Sequence, residues 1–276
     1  MQRMRRIRIP LGKNAGFTVA ELVVVIVVLG IIFPIFIALL LSSYKDTFLL
    51  DDKVKTGAEA TQALWYMEEN VRVSSEFLAT VPSQYSDPYG PHNSGTSGGE
   101  AWSYKGDSST RRVLITRSYA TTANALNTGR QPVFMDTPAF SCSTQMYYQP
   151  QLSFVTIYFV RDNTLYRRIL TDTTSALCPG NTQQQKQTCP PSVPIGSRPA
   201  SCKANDEVLA THVGGFELAY YQIGSGGIST QIDPSYTSTD PTVLAAADYV
   251  NVTITTSTWN GVQIDTISQR MTKVNQ

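Results

Sequence analysis

Residues 22–41 read LVVVIVVLGIIFPIFIALLL, a run of twenty residues in which only Gly30 and Pro34 are neither aliphatic nor aromatic. An α-helix of this length extends about 30 Å, which is the thickness of the hydrocarbon core of a bilayer. The run therefore predicts a segment that can span a membrane. Pro34 has no N–H to bond the carbonyl of Gly30, so we expect the helix to be weakest between these two residues.

The residues before this run are strongly basic. Residues 1–16 contain no acidic side chain, and their basic side chains are Arg3, Arg5, Arg6, Arg8 and Lys13. By the positive-inside rule this cluster keeps the N-terminus in the cytoplasm and places everything after Ser42 on the other side of the membrane. Without these five of the 22 basic residues, 17 remain against 21 acidic ones, a formal net charge of −4. This balance excludes the bulk basic field of a non-specific nucleic-acid binder.

The segment Gly16-Phe17-Thr18-Val19-Ala20-Glu21-Leu22 joins the basic leader to the apolar run. It resembles the class III signal of type IV prepilins and pseudopilins. The resemblance implies that a prepilin peptidase cuts between Gly16 and Phe17 on the cytoplasmic side and methylates the new N-terminal residue. The alternative is a single-pass signal anchor that is never cleaved, in which Glu21 is only a flanking residue.

The carboxylate of Glu21 lies at the edge of the predicted membrane helix. Such a charge costs up to about 2.5–3.5 kcal/mol near the bilayer centre and less near the interface, so it favours a cationic partner. Cleavage would create one, because the new ammonium group of Phe17 can pair with Glu21 of the same helix or of a neighbouring subunit. The resemblance also implies that the helix unwinds locally near Gly30 and Pro34 in a filament; a mild kink is the alternative.

A helical pattern continues beyond the apolar run and predicts one helix over residues 17–78, roughly 90 Å long. Its stripe consists of Leu50, Val54, Gly57, Thr61, Leu64, Met67, Val71, Ser74 and Leu78. We therefore divide the chain into a cleaved leader at 1–16, a membrane or filament-core half-helix at 17–41, an amphipathic half-helix at 42–80, and a globular domain at 81–276.

The globular domain changes to the alternating pattern of β-strands. The predicted strands are Arg112–Thr116, Leu152–Val160, Thr164–Leu170, Phe216–Gln222, Tyr249–Thr256 and Val262–Met271. Turn-forming residues predict one hairpin at Arg161-Asp162-Asn163 and a second at Asn260-Gly261. Two long loops at 82–110 and 171–206 follow no recognisable pattern. The predicted fold class is α+β, with the long helix packed on an antiparallel sheet.

A second resemblance concerns the helix and the central hairpin. The helix segment Leu64–Arg72 followed by a strand containing Leu165-Tyr166-Arg167 looks like the larger minor pilins of the W type and the J-type minor pseudopilins of type II secretion. This resemblance implies the pilin fold. It also implies a low-copy structural subunit rather than the main subunit of a filament.

All four cysteines lie in the part of the chain that we expect to be exported. They are Cys142, Cys178, Cys189 and Cys202, and an even number in an oxidising compartment favours two disulfides. Three pairings are possible, and we favour Cys178 with Cys189 and Cys142 with Cys202. A zinc site of four thiolates is the alternative, but no C-x-x-C pair supports it.

The sequence contains no motif that indicates catalysis, a cofactor or a metal site. It lacks GxSxG, P-loop, HExxH and GxGxxG patterns, and its only histidines, His92 and His212, have no metal-ligand spacing. The acidic pairs Asp51-Asp52 and Glu68-Glu69 fit a solvated helix face. Five loop aromatics either anchor the loops, which we favour, or contact a partner, for instance by stacking on a sugar or on single-stranded nucleic acid. These are Tyr85, Tyr89, Trp102, Tyr147 and Tyr148.

These patterns together predict a structural subunit and not an enzyme. We expect a minor pilin of a type IV pilus; the alternatives are a minor pseudopilin of a secretion or DNA-uptake system and a membrane-anchored adhesin that never polymerises. The expected partners are other pilin subunits, the prepilin peptidase, the assembly platform and, before assembly, the cytoplasmic membrane. Nothing in the sequence supports a nucleic acid or a surface receptor as a partner.

Overall fold

The computed structural model describes residues 18–90, 102–122, 131–137, 142, 150–172, 174–179, 182–232, 243–257 and 263–274. The chain divides into two units, Met1–Asp51 and Asp52–Gln276. The first contains most of a long apolar helix, and the second contains antiparallel sheets packed on the end of that helix. The α+β class predicted from the sequence is therefore confirmed.

Helix α1 extends from Val19 to Arg72 and is helical through both Gly30 and Pro34. It ends six residues before the predicted end at Leu78, because Ser74–Phe77 forms strand β1 instead. Phe77 and Leu78 are both buried but belong to different hydrophobic clusters, as expected of successive side chains in extended backbone. The pairing of β1 with the neighbouring strand of the first sheet therefore overrides the spacing of apolar residues at 71–78, which also fits a helix.

The first sheet has five antiparallel strands in the order β1-β2-β3-β4-β7. Its other members are β2 (Leu114–Tyr119), β3 (Ser153–Arg161), β4 (Thr164–Thr171) and β7 (Glu207–Ala210). Asp162 and Asn163, with φ angles of 49° and 56°, form the two-residue turn between β3 and β4. Two consecutive left-handed residues are the signature of a type I′ turn. The predicted central hairpin is confirmed.

The second sheet has four antiparallel strands in the order β11-β10-β8-β9. These are β8 (Val213–Ile223), β9 (Ser229–Gln231), β10 (Tyr249–Ser257) and β11 (Gln263–Thr272). The predicted pairing of the last two strands is confirmed, while its proposed turn at Asn260-Gly261 lies outside the described residues. Two short strands, β5 (Thr188–Cys189) and β6 (Ala204–Asn205), form a separate parallel pair.

The main core lies where the last third of α1 meets both sheets. Ala60, Ala63, Leu64, Met67 and Val71 are buried there against side chains of both sheets. The predicted helix stripe is therefore only partly correct, because Leu50, Val54 and Thr61 are exposed. Leu50 and Val54 lie in the part of α1 where every described side chain is exposed, and beside Thr61 the buried position is Ala60.

A second hydrophobic cluster covers the opposite face of the first sheet. Ile115, Val155 and Ile157 pack there against Tyr85 and Trp102 of the first long loop. Only 4% of Tyr85 and 3% of Trp102 is exposed. In the described part of the loop at 82–110, these two aromatics therefore anchor the loop to the sheet.

Gly106 forms a tight turn in this loop that a larger residue cannot adopt without strain. Its φ is +60°, and a Cβ atom built on it would lie 2.0 Å from the backbone oxygen of Arg111. We expect Gly106→Ala to lower the free energy of unfolding by more than about 1 kcal/mol, because both the backbone strain and the clash oppose it. Gly196→Ala is the matched control, since the space around Gly196 is open. Chemical unfolding of both variants checks this; equal stabilities would contradict it.

Candidate functional site

The N-terminal unit presents a long, uncovered apolar helix. Every described side chain from Thr18 to Lys55 is exposed. Because α1 is long and apolar enough to cross a membrane, this unit can act as a membrane span. It equally leaves a continuous apolar surface available for packing against other helices.

The start of α1 is closed by a reciprocal hydrogen-bond pattern between Thr18 and Glu21. The Oε2 atom of Glu21 accepts bonds from the backbone N–H of Thr18 at 2.9 Å and from its Oγ1 hydroxyl at 3.0 Å. The backbone N–H of Glu21 in turn points at Thr18 Oγ1, 3.4 Å away. This is a capping box, which satisfies donors that the first helical turn leaves free.

The capping box gives Glu21 a role that the sequence reasoning missed. The signal was present, because Thr-x-x-Glu directly before an apolar run is the sequence pattern of a capping box. The predicted partner of Glu21, the amino group of Phe17, and the predicted cleavage residue Gly16 both lie outside the described residues. The ion pair between Phe17 and Glu21 therefore stays a prediction.

Arg168 on β4 is the most deeply buried charged residue that the structure describes, with none of its surface exposed. Its Nη2 and Nε atoms donate to the carboxylate of Asp206, with Nη2 to Oδ2 at 2.6 Å. Its Nη1 atom donates to Asp87 Oδ2 at 2.9 Å and to the carbonyl of Tyr89 at 2.6 Å. The indole N–H of Trp102 donates to the same Asp87 oxygen at 2.6 Å.

This arginine fastens both long loops to the first sheet, since Asp87 and Trp102 belong to the loop at 82–110 and Asp206 to the loop at 171–206. Burial alone would lower the pKa of Arg168, but hydrogen bonding to Asp206 and the charge of Asp87 raise it above its ordinary value. The group stays charged and fully engaged by carboxylates. We therefore interpret it as a structural centre that fixes the loops.

The four cysteines form two disulfides, as predicted, but the favoured pairing was wrong. The bonds join Cys142 to Cys178 and Cys189 to Cys202. The short parallel pair of β5 and β6 brings the second bond together, because it aligns the chain next to Cys189 with the chain just after Cys202. No thiolate is left for the alternative zinc site.

The other candidate residues do not converge on a site. Within the described residues, no group of three or more His, Cys, Asp or Glu side chains is placed to hold a metal ion. His212 has a φ of 58° and lies in the turn between β7 and β8. His92, Tyr147 and Tyr148 lie outside the described residues.

Comparison with models of known protein families gives no match, and comparison with curated proteins gives none either. The features of the molecule that bear on its function are therefore the apolar helix, the capped start of that helix and the domain packed on its end.

Proposed function

We propose that this chain is a type IV pilin-like structural subunit, most simply a minor pilin. The observation that carries the proposal is the exposed apolar helix with the Thr18–Glu21 capping box at its start. Because α1 begins at Val19, the bond between Gly16 and Phe17 precedes the helix, where a peptidase can cut without unwinding it. The long helix packed on an antiparallel sheet is also the arrangement that the pilin fold requires.

In this proposal the precursor is inserted in the cytoplasmic membrane with its basic leader inside and its C-terminal domain outside. Prepilin peptidase removes residues 1–16, and the assembly platform then transfers the apolar helix from lipid into a filament. One apolar surface serves both environments, because lipid tails and neighbouring helices are equally apolar. The two disulfides fit a domain that matures in an oxidising compartment. The role is structural, without catalysis or a cofactor.

We expect this chain to be a low-copy subunit of the filament. The globular unit Asp52–Gln276 is large, and a main-body subunit must repeat along a helical lattice in which every neighbour clears its loops. A subunit at or near a filament tip escapes this restriction on one side. A minor pseudopilin of a secretion or DNA-uptake machine would share all of these properties.

Quantitative mass spectrometry of sheared, purified filaments tests this assignment. We expect the chain to be present at a small fraction of the abundance of the main subunit. If it is the most abundant subunit, it is the major pilin and the minor assignment is wrong. If it is absent from filaments but abundant in the membrane, it is an anchored protein that does not polymerise.

A further inference from the structure

A groove of about 810 Å³ lies on one face of the first sheet, beside the last turns of α1. Its floor is formed by side chains of β2, β3 and β4, among them Ser118, Thr156 and Arg167. α1 ends at Arg72, and among the described residues no further α-helix covers this end of the sheet. Segments around Thr121 and Gln184 form its far wall. Ligand pockets have about this volume.

Several polar side chains of this groove are not used in hydrogen bonds within the described part of the protein. In the described part of the chain, six of them form no hydrogen bond: Ser118, Tyr119, Gln151, Thr156, Gln184 and Asn205. The buried Oε1 of Gln184 and Nε of Arg167 likewise have no hydrogen-bond partner among the described residues. Buried polar atoms nearly always have a partner, so these two atoms, together with the solvent-accessible polar side chains of the same concave surface, point to a ligand that supplies the missing bonds.

The charge of the groove indicates what kind of ligand fits. Arg167 is paired with Glu207 at 2.9 Å and also donates to the hydroxyl of Tyr66, so its charge is compensated. Lys186 is the remaining charged side chain of the described lining, and it is exposed. One uncompensated cation is too little for a nucleic-acid backbone, whose binding depends on neutralising several phosphates. The ligand chemistry is therefore essentially uncharged.

The groove is also a poor match for an extended peptide. Peptides that bind sheets add to a free strand edge, where backbone groups are unpaired. The three floor strands are all internal, because β2 lies between β1 and β3, and β4 lies between β3 and β7. Side chains, not backbone groups, must make the contacts.

We propose that this groove binds a neutral oligosaccharide. Carboxamide and hydroxyl side chains both donate and accept hydrogen bonds, and sugar hydroxyls do the same. Tyr119, 42% exposed, offers an aromatic face to the apolar side of a sugar ring, and the half-buried Phe154 lies in the same groove. This inference does not depend on polymerisation, since the groove is built entirely within Asp52–Gln276.

The test uses the full-length chain in detergent and an immobilised panel of saccharides. The neutral probes are maltotriose, cellotriose and triacetylchitotriose; sialyllactose, an unstructured polar peptide and a single-stranded oligonucleotide serve as comparators. We expect binding to at least one neutral trisaccharide, which titration calorimetry then quantifies. Binding to none of the neutral saccharides, or stronger binding to the peptide or the oligonucleotide, would overturn the proposal.

Groove variants locate the binding. We expect Tyr119→Ala, Gln151→Ala and Asn205→Ala each to weaken saccharide binding by about tenfold, because each removes one ring contact or hydrogen-bonding group from the groove. Gln222→Ala is the matched control, since Gln222 is an exposed amide on β8 of the second sheet. Thermal unfolding of all four variants verifies that they fold. Equal affinities for the groove variants and the control would contradict this site.

Discussion

Replacing Arg168 by methionine is expected to lower the free energy of unfolding by about 3–5 kcal/mol. The substitution leaves Asp206 and Asp87, whose side chains are 2% and 6% exposed, without their cationic partner inside the protein. It also releases both long loops from β4. Urea unfolding of the detergent-solubilised chain measures this effect through tryptophan fluorescence, because the guanidinium of Arg168 lies 5.4 Å from the ring of Trp102.

Two further variants distinguish the effect of losing the buried charge on stability from the effect of losing side-chain volume. Arg167→Met removes the neighbouring arginine, whose partner Glu207 is half exposed, and we expect a cost of about 1 kcal/mol. Adding Asp206→Asn to Arg168→Met neutralises one stranded carboxylate, so it should restore part of the lost stability. If the free energy of unfolding of the Arg168→Met variant lies within about 1 kcal/mol of that of the unmodified chain, the arginine does not hold the loops.

Replacing Glu21 is expected to abolish recovery of the chain in sheared filaments, and two variants distinguish its two possible roles. Glu21→Gln keeps a side chain that completes a capping box but removes the charge. Glu21→Ala removes both. If pairing with the ammonium of Phe17 sets the register between helices, both variants should be lost from filaments to the same degree. A pair worth over about 1.4 kcal/mol would reduce the amount of each variant recovered in filaments by more than about tenfold.

Immunoblots of membrane and filament fractions measure the two outcomes separately. Both variants should still insert in the membrane and be cleaved, because removing a charge makes insertion easier. If Glu21→Gln enters filaments like the unmodified chain while Glu21→Ala does not, Glu21 acts only as a helix cap. The pairing role would then be wrong.

The parts of the fold that depend on local pattern could be predicted from the sequence. The apolar run at 22–41 predicts the helix, and the turn formers Arg161-Asp162-Asn163 predict the central hairpin that joins β3 and β4. In each case a short segment contains the whole signal. The presence of two disulfides followed in the same way, from the number of cysteines and the expected compartment.

The parts that depend on distant contacts could not be predicted. The end of α1 at Arg72 is set by the pairing of β1 with β2, whose residues lie some forty positions later in the chain. The burial of Arg168 depends on Asp87 and Asp206, on two loops that have no pattern of their own. The cysteine pairing likewise depends on strands of two residues each, too short to be recognised.

The N-terminus of the chain in its native membrane tests the central proposal most directly. Intact-mass analysis with N-terminal peptide sequencing should find a chain that begins at Phe17 with a methylated amino group. This result follows if the segment from Gly16 to Leu22 is a prepilin cleavage signal. A chain that still begins at Met1, or one cut after Leu41, would contradict assignment to the type IV pilin-like proteins.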